Sequence, residues 1–206
     1  MHPTAIVHPA AQIADDAEIG AYAIIGADAK IDARTIIQSH VVVEGRVELG
    51  RENIIGHGSV IGAPPQDVGF RAGTISGVRL GDRNVLREYC TIHRGSGEGS
   101  KTTVGDGNFL MVGTHVGHNC AIGNGVTIAN NSLLAGHVQI DDQAFIGGGT
   151  TFHQHTRVGR LVMVQGMSGF GKDIPPFLLA AGRNLVVGIN VIGLRRGGLA
   201  AGERDE

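Results

Sequence analysis

Aliphatic side chains recur in this sequence every six residues. Stepping from Val7, the positions are Ile13, Ile19, Ile25, Ile31, Ile37, Val43, Leu49, Ile55 and Ile61, every one aliphatic. Four residues after each rung stands a small or β-branched residue, from Ala11, Ala17, Ala23 and Ala29 to Thr35, Val41, Val47 and Ser59; Asn53 is the exception. The ladder stops after Gly62, resumes at Leu80, Leu86 and Ile92, stops again over residues 94–103, and then runs unbroken from Val104 to Val164. Between Ile61 and Leu80 the phase slips by one residue, which marks an inserted loop over residues 62–79. Between Ile92 and Val104 the phase is kept, so the second break, residues 94–103, is expected to replace one rung.

A period of six matches neither the three-and-four spacing of a helix nor the strict alternation of an ordinary strand. It fits a short strand and a tight turn, repeated, with one large and one small side chain turned inward each time. Three such repeats close a triangular coil, and coils stack at the strand spacing of roughly 4.8 Å. Hexapeptide repeats are the sequence signature of a parallel β-helix. The expected fold is therefore all-β, a parallel β-helix over residues 1–187 with loops 62–79 and 94–103. Beyond Val164 the pattern loosens. Residues 168–177 (SGFGKDIPPF) read as a loop and 178–187 as an extended apolar segment. Residues 188–206 form a short C-terminal extension, in which 188–197 (GINVIGLRRG) begins a helix and the polar tail 198–206 frays.

Composition adds exclusions. Glycine is abundant (34) and proline is not (6), as expected of a fold made of many tight turns. A formal charge of −2 with 4% aromatic residues offers no basic, stacking-rich surface for nucleic acid. No apolar run is long enough to span a bilayer, and no secretory signal opens the chain, so a cytoplasmic protein is expected. Cys90 and Cys120 make no disulfide framework and fall at small inward positions, where they read as core filler.

Chemistry enters at residues 113–124 (GTHVGHNCAIGN). Val116 and Ile122 are rungs, and His118 projects from between them. Coil stacking puts Gly136 over His118 with His137 beside it, and Gln154 and His155 one coil further. His115, His118, His137, His153 and Gln154 are thus expected along one edge of the prism, with His93 opening the second loop two coils earlier. Any one histidine at such a turn reads first as a solvated side chain. Several on adjacent coils beside two loops read as a cleft wall, and imidazole is the side chain suited to proton transfer near neutral pH. Zinc is the other partner of such clusters, but no carboxylate or cysteine completes a ligand set, and no cofactor motif is present. Gln66 and Asp67 occupy the first loop, where a plain surface turn is the alternative. Arg195 and Arg196 suit a phosphate or a solvated helix face, Asn190 suits a helix N-cap, and Asn130 and Asn131 suit turns.

These motifs resemble the UDP-N-acetylglucosamine acyltransferases that begin lipid A synthesis. The matching stretches are SHVVV at 39–43, PQD at 65–67, REYCTIHRG at 87–95, the His118 segment and ANN at 129–131. They continue with LAGHV at 134–138, HQ at 153–154, DIPP at 173–176 and the segment from Asn190 to Arg196. The resemblance implies a left-handed β-helix, a homotrimer with sites between subunits, and transfer of a 3-hydroxyacyl group from acyl carrier protein to the glucosamine 3-hydroxyl. It makes His118 the general base and the Gly136 N–H an oxyanion donor. His137 and Gln154 become acceptor-nucleotide contacts and Asp67 a glucosamine contact, with His115, His153 and Gln66 as further candidate substrate-binding residues. Asn190 and Arg196 become donor or nucleotide contacts, and Gly166 the position that limits acyl length. Three residues depart from the family pattern: Asn119 stands where the family has Asp, Ile192 where it has Glu, and Gly69 where it has Lys. The sequence also ends at Glu206, where the family continues into a C-terminal helical domain. Three other readings compete on the same scaffold: N-acylation of a UDP-3-amino-sugar, zinc-dependent hydration of the γ-carbonic-anhydrase type, and a non-catalytic solenoid.

Overall fold

A computed structural model describes residues 1–198, and the chain winds as a left-handed parallel β-helix. Successive short strands fall on three faces in rotation. The first face carries nine strands, from Ile6–Val7 to Gly169–Phe170; the second carries eight, from Gln12–Ile13 to Arg157–Val158. The third carries ten, beginning at Glu18–Ile19 and ending in the antiparallel pair Leu178–Ala181 and Leu185–Ile189. Val116 pairs with Leu134 and Leu134 with Phe152, so a regular coil takes eighteen residues.

The six-residue rungs form the core. Ile25, Ile31, Ile37, Leu49, Ile55, Ile61, Leu86, Ile92, Leu110, Ile128 and Leu134 are all essentially inaccessible. Each coil hydrogen-bonds its backbone to the next, as in Ile24 N–H to Val41 C=O (2.9 Å) and Val42 N–H to Ser59 C=O (2.9 Å), so the ladder pairs the backbone groups that it buries. Asn53, the misfit of the small series, starts an interior ladder. Asn84 N–H and Nδ2 donate to Asn53 Oδ1, Asn108 N–H and Nδ2 donate to Asn84 Oδ1, and Val126 N–H donates to Asn108 Oδ1. A fully bonded amide column thus substitutes for the small apolar series on three coils.

The two breaks differ from expectation in two respects. The first is an inserted loop, as the phase slip indicates, but strands Val60–Ala63 and Gly77–Leu80 run into it and leave only residues 64–76 outside the ladder. The second break replaces no rung. Ile92 pairs with Val116 in the next coil, twenty-four residues on, and strand Lys101–Val104 follows directly on the second face. Residues 94–100 therefore also carry an insertion, six residues or one repeat long, and an insertion of that length preserves the phase by arithmetic. His93 consequently sits one coil before His115, not two.

At the C-terminal end the ladder runs one rung further, through Phe170, and Ile174 bridges to Val158. The extended segment foreseen at 178–187 is a hairpin, and residue 188 lies inside its second strand. The helix Val191–Arg196 follows, capped by Asn190, whose side chain accepts the Gly193 N–H (3.0 Å). Residues 199–206, where the frayed tail was expected, and the Arg196 side chain lie outside the described residues.

The outward positions of the faces differ in character. The second face presents Gln12, Lys30, Glu48, Arg79, Gln139 and Arg157. The first presents Ile6, Ile24, Val42, Val60 and Leu133 beside Thr91, His115 and Thr151; the third presents Ile36, Ile54, Val85, Phe109, Phe145 and Met163 beside Glu18 and Thr127.

Candidate active site

The corner where the chain passes from the first face to the second carries Asn119, His137 and His155 on successive coils, with φ of 60°, 64° and 65°. Holding non-glycine residues in this left-handed region turns each corner sharply and stacks their side chains. The His137 and His155 rings lie 4.5 Å apart and nearly parallel, and His118 meets His137 edge-on at 5.2 Å. The backbone repeats the relation: His137 N–H donates to His118 C=O (2.9 Å), and His155 N–H donates to Gly136 C=O (3.2 Å).

A cleft of about 300 Å³ opens beside this corner. It is lined by His118, Gly117, Gly136, Gln154, His115, His93 and Gln66 over a floor of Leu133, Leu134 and Phe152. His118 is 8% exposed, and its ring fills the space beside Gly136: a Cβ there would lie 2.5 Å from both Cε1 and Nε2. Among the described residues the Gly136 N–H has no protein acceptor. On the far side of the ring, Nδ1 lies 2.9 Å from Asn119 Oδ1. The same oxygen accepts from the Ser96 N–H and Ser96 Oγ–H, each at 2.9 Å. The Asn119 N–H donates to Thr102 Oγ1 (2.8 Å), whose hydroxyl donates to His93 C=O (2.6 Å).

Three histidines around His118 have lowered pKa values. Burial pushes His115 down to about 4, with His93 adding to the effect, while Thr91 Oγ1 sits 2.7 Å from its Nδ1. Burial likewise lowers His93, against a hydrogen bond to the Pro64 carbonyl, and its Nδ1 is enclosed without a partner. His137 is lowered by burial, then by His155 and His118, and Asp67 opposes the shift. Cys90 and Cys120 are buried, with their thiols pushed up to about 11 and 12 by desolvation, so both are unreactive core residues.

The structure thus brings together Gln66, His115, His118, Gly136 and Gln154, with His137 and Asp67 at the rim. His153 is exposed, and its ring Nδ1 lies 3.3 Å from Gln154 C=O. Asn190 is elsewhere, under the third face, where its Nδ2 donates to Leu161 C=O (2.8 Å). Gly166 lies at the corner between the third and first faces, against Gly148. Among the described residues no three His, Cys, Asp or Glu side chains converge as metal ligands. Sequence reasoning missed Ser96 and Thr102: nothing in a glycine-rich loop marks which hydroxyl will meet Asn119.

A family model described as UDP N-acetylglucosamine O-acyltransferase, domain 2, matches residues 173–206, and one for bacterial transferase hexapeptide repeats matches residues 101–136. The UDP-N-acetylglucosamine acyltransferase from Campylobacter jejuni superimposes with a TM-score of 0.94 at 36% identity, covering 99% of this chain and 80% of that one. The chain belongs to this family. The Francisella novicida enzyme gives a TM-score of 0.96 at 38% identity, covering 99% of this chain and 75% of that one. Among curated relatives, the acyl-[acyl-carrier-protein]–UDP-N-acetylglucosamine O-acyltransferase of Synechocystis is 48% identical over 155 residues, 75% of this chain. That match spans 56% of the Synechocystis protein's length.

Proposed function

We propose that the chain transfers a 3-hydroxyacyl group from acyl carrier protein to the 3-hydroxyl of UDP-N-acetylglucosamine, in the cytoplasm, with His118 as general base. The observation that carries this reading is a nearly buried imidazole edge facing a cleft beside an unused backbone donor, in a chain of this family. A sugar hydroxyl is a poor nucleophile until its proton is taken. His118 Nε2 accepts that proton as the oxygen attacks the thioester carbonyl, and the Gly136 N–H faces the oxyanion that forms. Collapse expels the carrier thiolate, which takes the proton back from His118. The lowered pKa values of His115 and His93 beside the base disfavour a second positive charge that would oppose its protonation. Gln66, Asp67, His137 and Gln154 contact the acceptor, and His153 stands outside the cleft.

The site is completed by a neighbour in a homotrimer. The apolar outer surfaces belong to the first and third faces and the polar one to the second, so the first face of one subunit packs on the third face of the next. That arrangement brings a neighbour's Asn190, which lies under its third face, to the His118 cleft together with the helix that carries Arg196, and runs the acyl chain along the interface toward Gly166.

The test is acyl transfer from a panel of acyl carrier proteins to UDP-N-acetylglucosamine and its 3-amino analogue, read by mass spectrometry. The O-acyl product is expected from the wild type and is expected to be lost in His118→Ala with the oligomer intact. An active, well-folded His118→Ala protein sinks the reading.

A further inference from the structure

The second loop has no place in the hexapeptide ladder, yet it makes specific contacts at the base. We infer that Ser96, carried by this loop, together with Asn119 forms a clamp that fixes His118 as the Nδ1–H tautomer, leaving the Nε2 lone pair toward the cleft. Ser96 and Asn119 are positioning residues in this scheme.

The inference follows from donors and acceptors. An asparagine amide presents either its oxygen or its NH₂, and the two ends are told apart only by their partners. Here one partner is unambiguous. The Ser96 backbone N–H can only donate, and it points at the Asn119 side-chain atom 2.9 Å away. That atom is therefore the carbonyl oxygen. The same oxygen lies 2.9 Å from His118 Nδ1, and an oxygen without a proton can be bonded only by a nitrogen that has one. Nδ1 must then carry the hydrogen, and neutral imidazole has only one, so Nε2 is the basic nitrogen. The Ser96 hydroxyl adds a third donor to the oxygen and opposes rotation of the amide.

The clamp is itself held. Thr102 ties the Asn119 backbone to the strand that follows the loop. Glu98 Oε2 accepts the Ile75 N–H (3.0 Å), and Gly99 N–H donates to Ile75 C=O (2.8 Å), so the second loop is bound to the first, which carries Gln66 and Asp67. A carboxylate at position 119 would orient the ring in either of its rotamers and would also favour the imidazolium. An amide orients it in only one, which is why Asn119 needs Ser96. The side chains facing the ring are His93 and His115 from the first face and His137 from the next coil, with Asp67 beside His137 and Glu44 and Arg94 beside His93.

The kinetic part of the test rests on the acyl-transfer reading; the spectroscopic part does not. In protein labelled with ¹⁵N-histidine, the neutral His118 ring is expected to show a pyrrole-like Nδ1 and a pyridine-like Nε2 resonance, assigned by loss of the signals in His118→Gln. Asn119→Gly suits the φ of 60° and is expected to fold while the two resonances average toward a tautomer mixture. Its kcat is expected to fall about 10²-fold with KM changed by less than about twofold. Asn119→Asp is expected to keep the tautomer and move the acidic limb of kcat/KM up by about one pH unit. Ser96→Ala is expected to lose about three- to tenfold in kcat, and Ser96→Thr to restore it. A pyridine-like Nδ1 in the wild type, or a wild-type spectrum in Asn119→Gly, overturns the clamp. Intact spectra without acyl transfer would instead leave the clamp standing and remove the proposed reaction.

Discussion

Gly136 lacks a side chain where the His118 ring needs the room: a Cβ would approach Nε2 and Cε1 to 2.5 Å and Cδ2 to 3.1 Å. The glycine has no positive φ to accommodate, so its absence of a Cβ matters for the ring and not for the turn. Gly136→Ala is therefore expected to fold and to displace the base. A shift of this size costs about 10²-fold in turnover when the reacting atoms must meet in line. The check is kcat/KM beside a melting curve: a large kinetic loss with a melting temperature within a few degrees of wild type supports the relation, and wild-type turnover contradicts it.

The amide ladder gives a stability prediction far from the cleft. Asn84 gives two hydrogen bonds to Asn53 and accepts two from Asn108, all fully buried. Asn84→Ala leaves the Asn108 donors without an acceptor. Each stranded group costs about 1–3 kcal/mol, so a loss of about 2–4 kcal/mol is expected in denaturant unfolding. A change below about 0.5 kcal/mol would mean that the ladder relaxes or takes up water.

The ladder was legible because its signal is local and repeated: rungs such as Ile25, Ile55 and Leu134 are spaced so that no other element buries them all. The vertical neighbours His118, Gly136 and Gln154 were legible for the same reason, since they are eighteen residues apart. The second loop was misread because six inserted residues look like one replaced repeat, and only the pairing of Ile92 with Val116 separates the two. Asn190 and Gly166 do not join the His118 cleft within one chain. Ser96 was invisible because its partner depends on how an irregular loop folds back.

Burial holds His115 near a pKa of about 4, below its ordinary 6.5. Between those values the unfolded chain binds a proton that the folded chain resists, so unfolding takes up protons and stability rises with pH across the window. His115→Gln removes this dependence. The stability difference between wild type and variant is expected to shift in the variant's favour as pH falls from about 6.5 to about 4, measured by urea midpoints at several pH values. A difference that does not vary with pH would show that His115 titrates normally.

Gly166 provides a test of the acyl path. A Cβ there comes to 3.0 Å from Gly148 C=O, so a larger side chain must project outward along the corner between the third and first faces. Gly166→Met is expected to shift the product distribution toward shorter acyl chains with little change in the best kcat. Mass spectrometry of products from carriers of graded chain length reads this directly, and an unchanged length profile would place the acyl chain elsewhere.

The outer faces set the last prediction. Leu133 on the first face is 46% exposed and Phe145 on the third is 39% exposed, whereas the second face turns the polar Gln139 outward on the same coil and Arg157 on the next. Apolar side chains in that setting gain about 25 cal/mol for each Å² covered, and two different faces of one subunit cover each other only in a head-to-tail arrangement, which a closed ring completes. Leu133→Arg and Phe145→Arg, on different faces, are therefore each expected to dissociate the assembly. Both are also expected to lose activity, because the cleft would lose its neighbour. Arg157→Ala on the second face is expected to change neither. Light scattering across a dilution series measures the outcome: a trimer that persists in both Arg variants, or a wild type that is monomeric at micromolar concentration, contradicts the packing of the first face on the third.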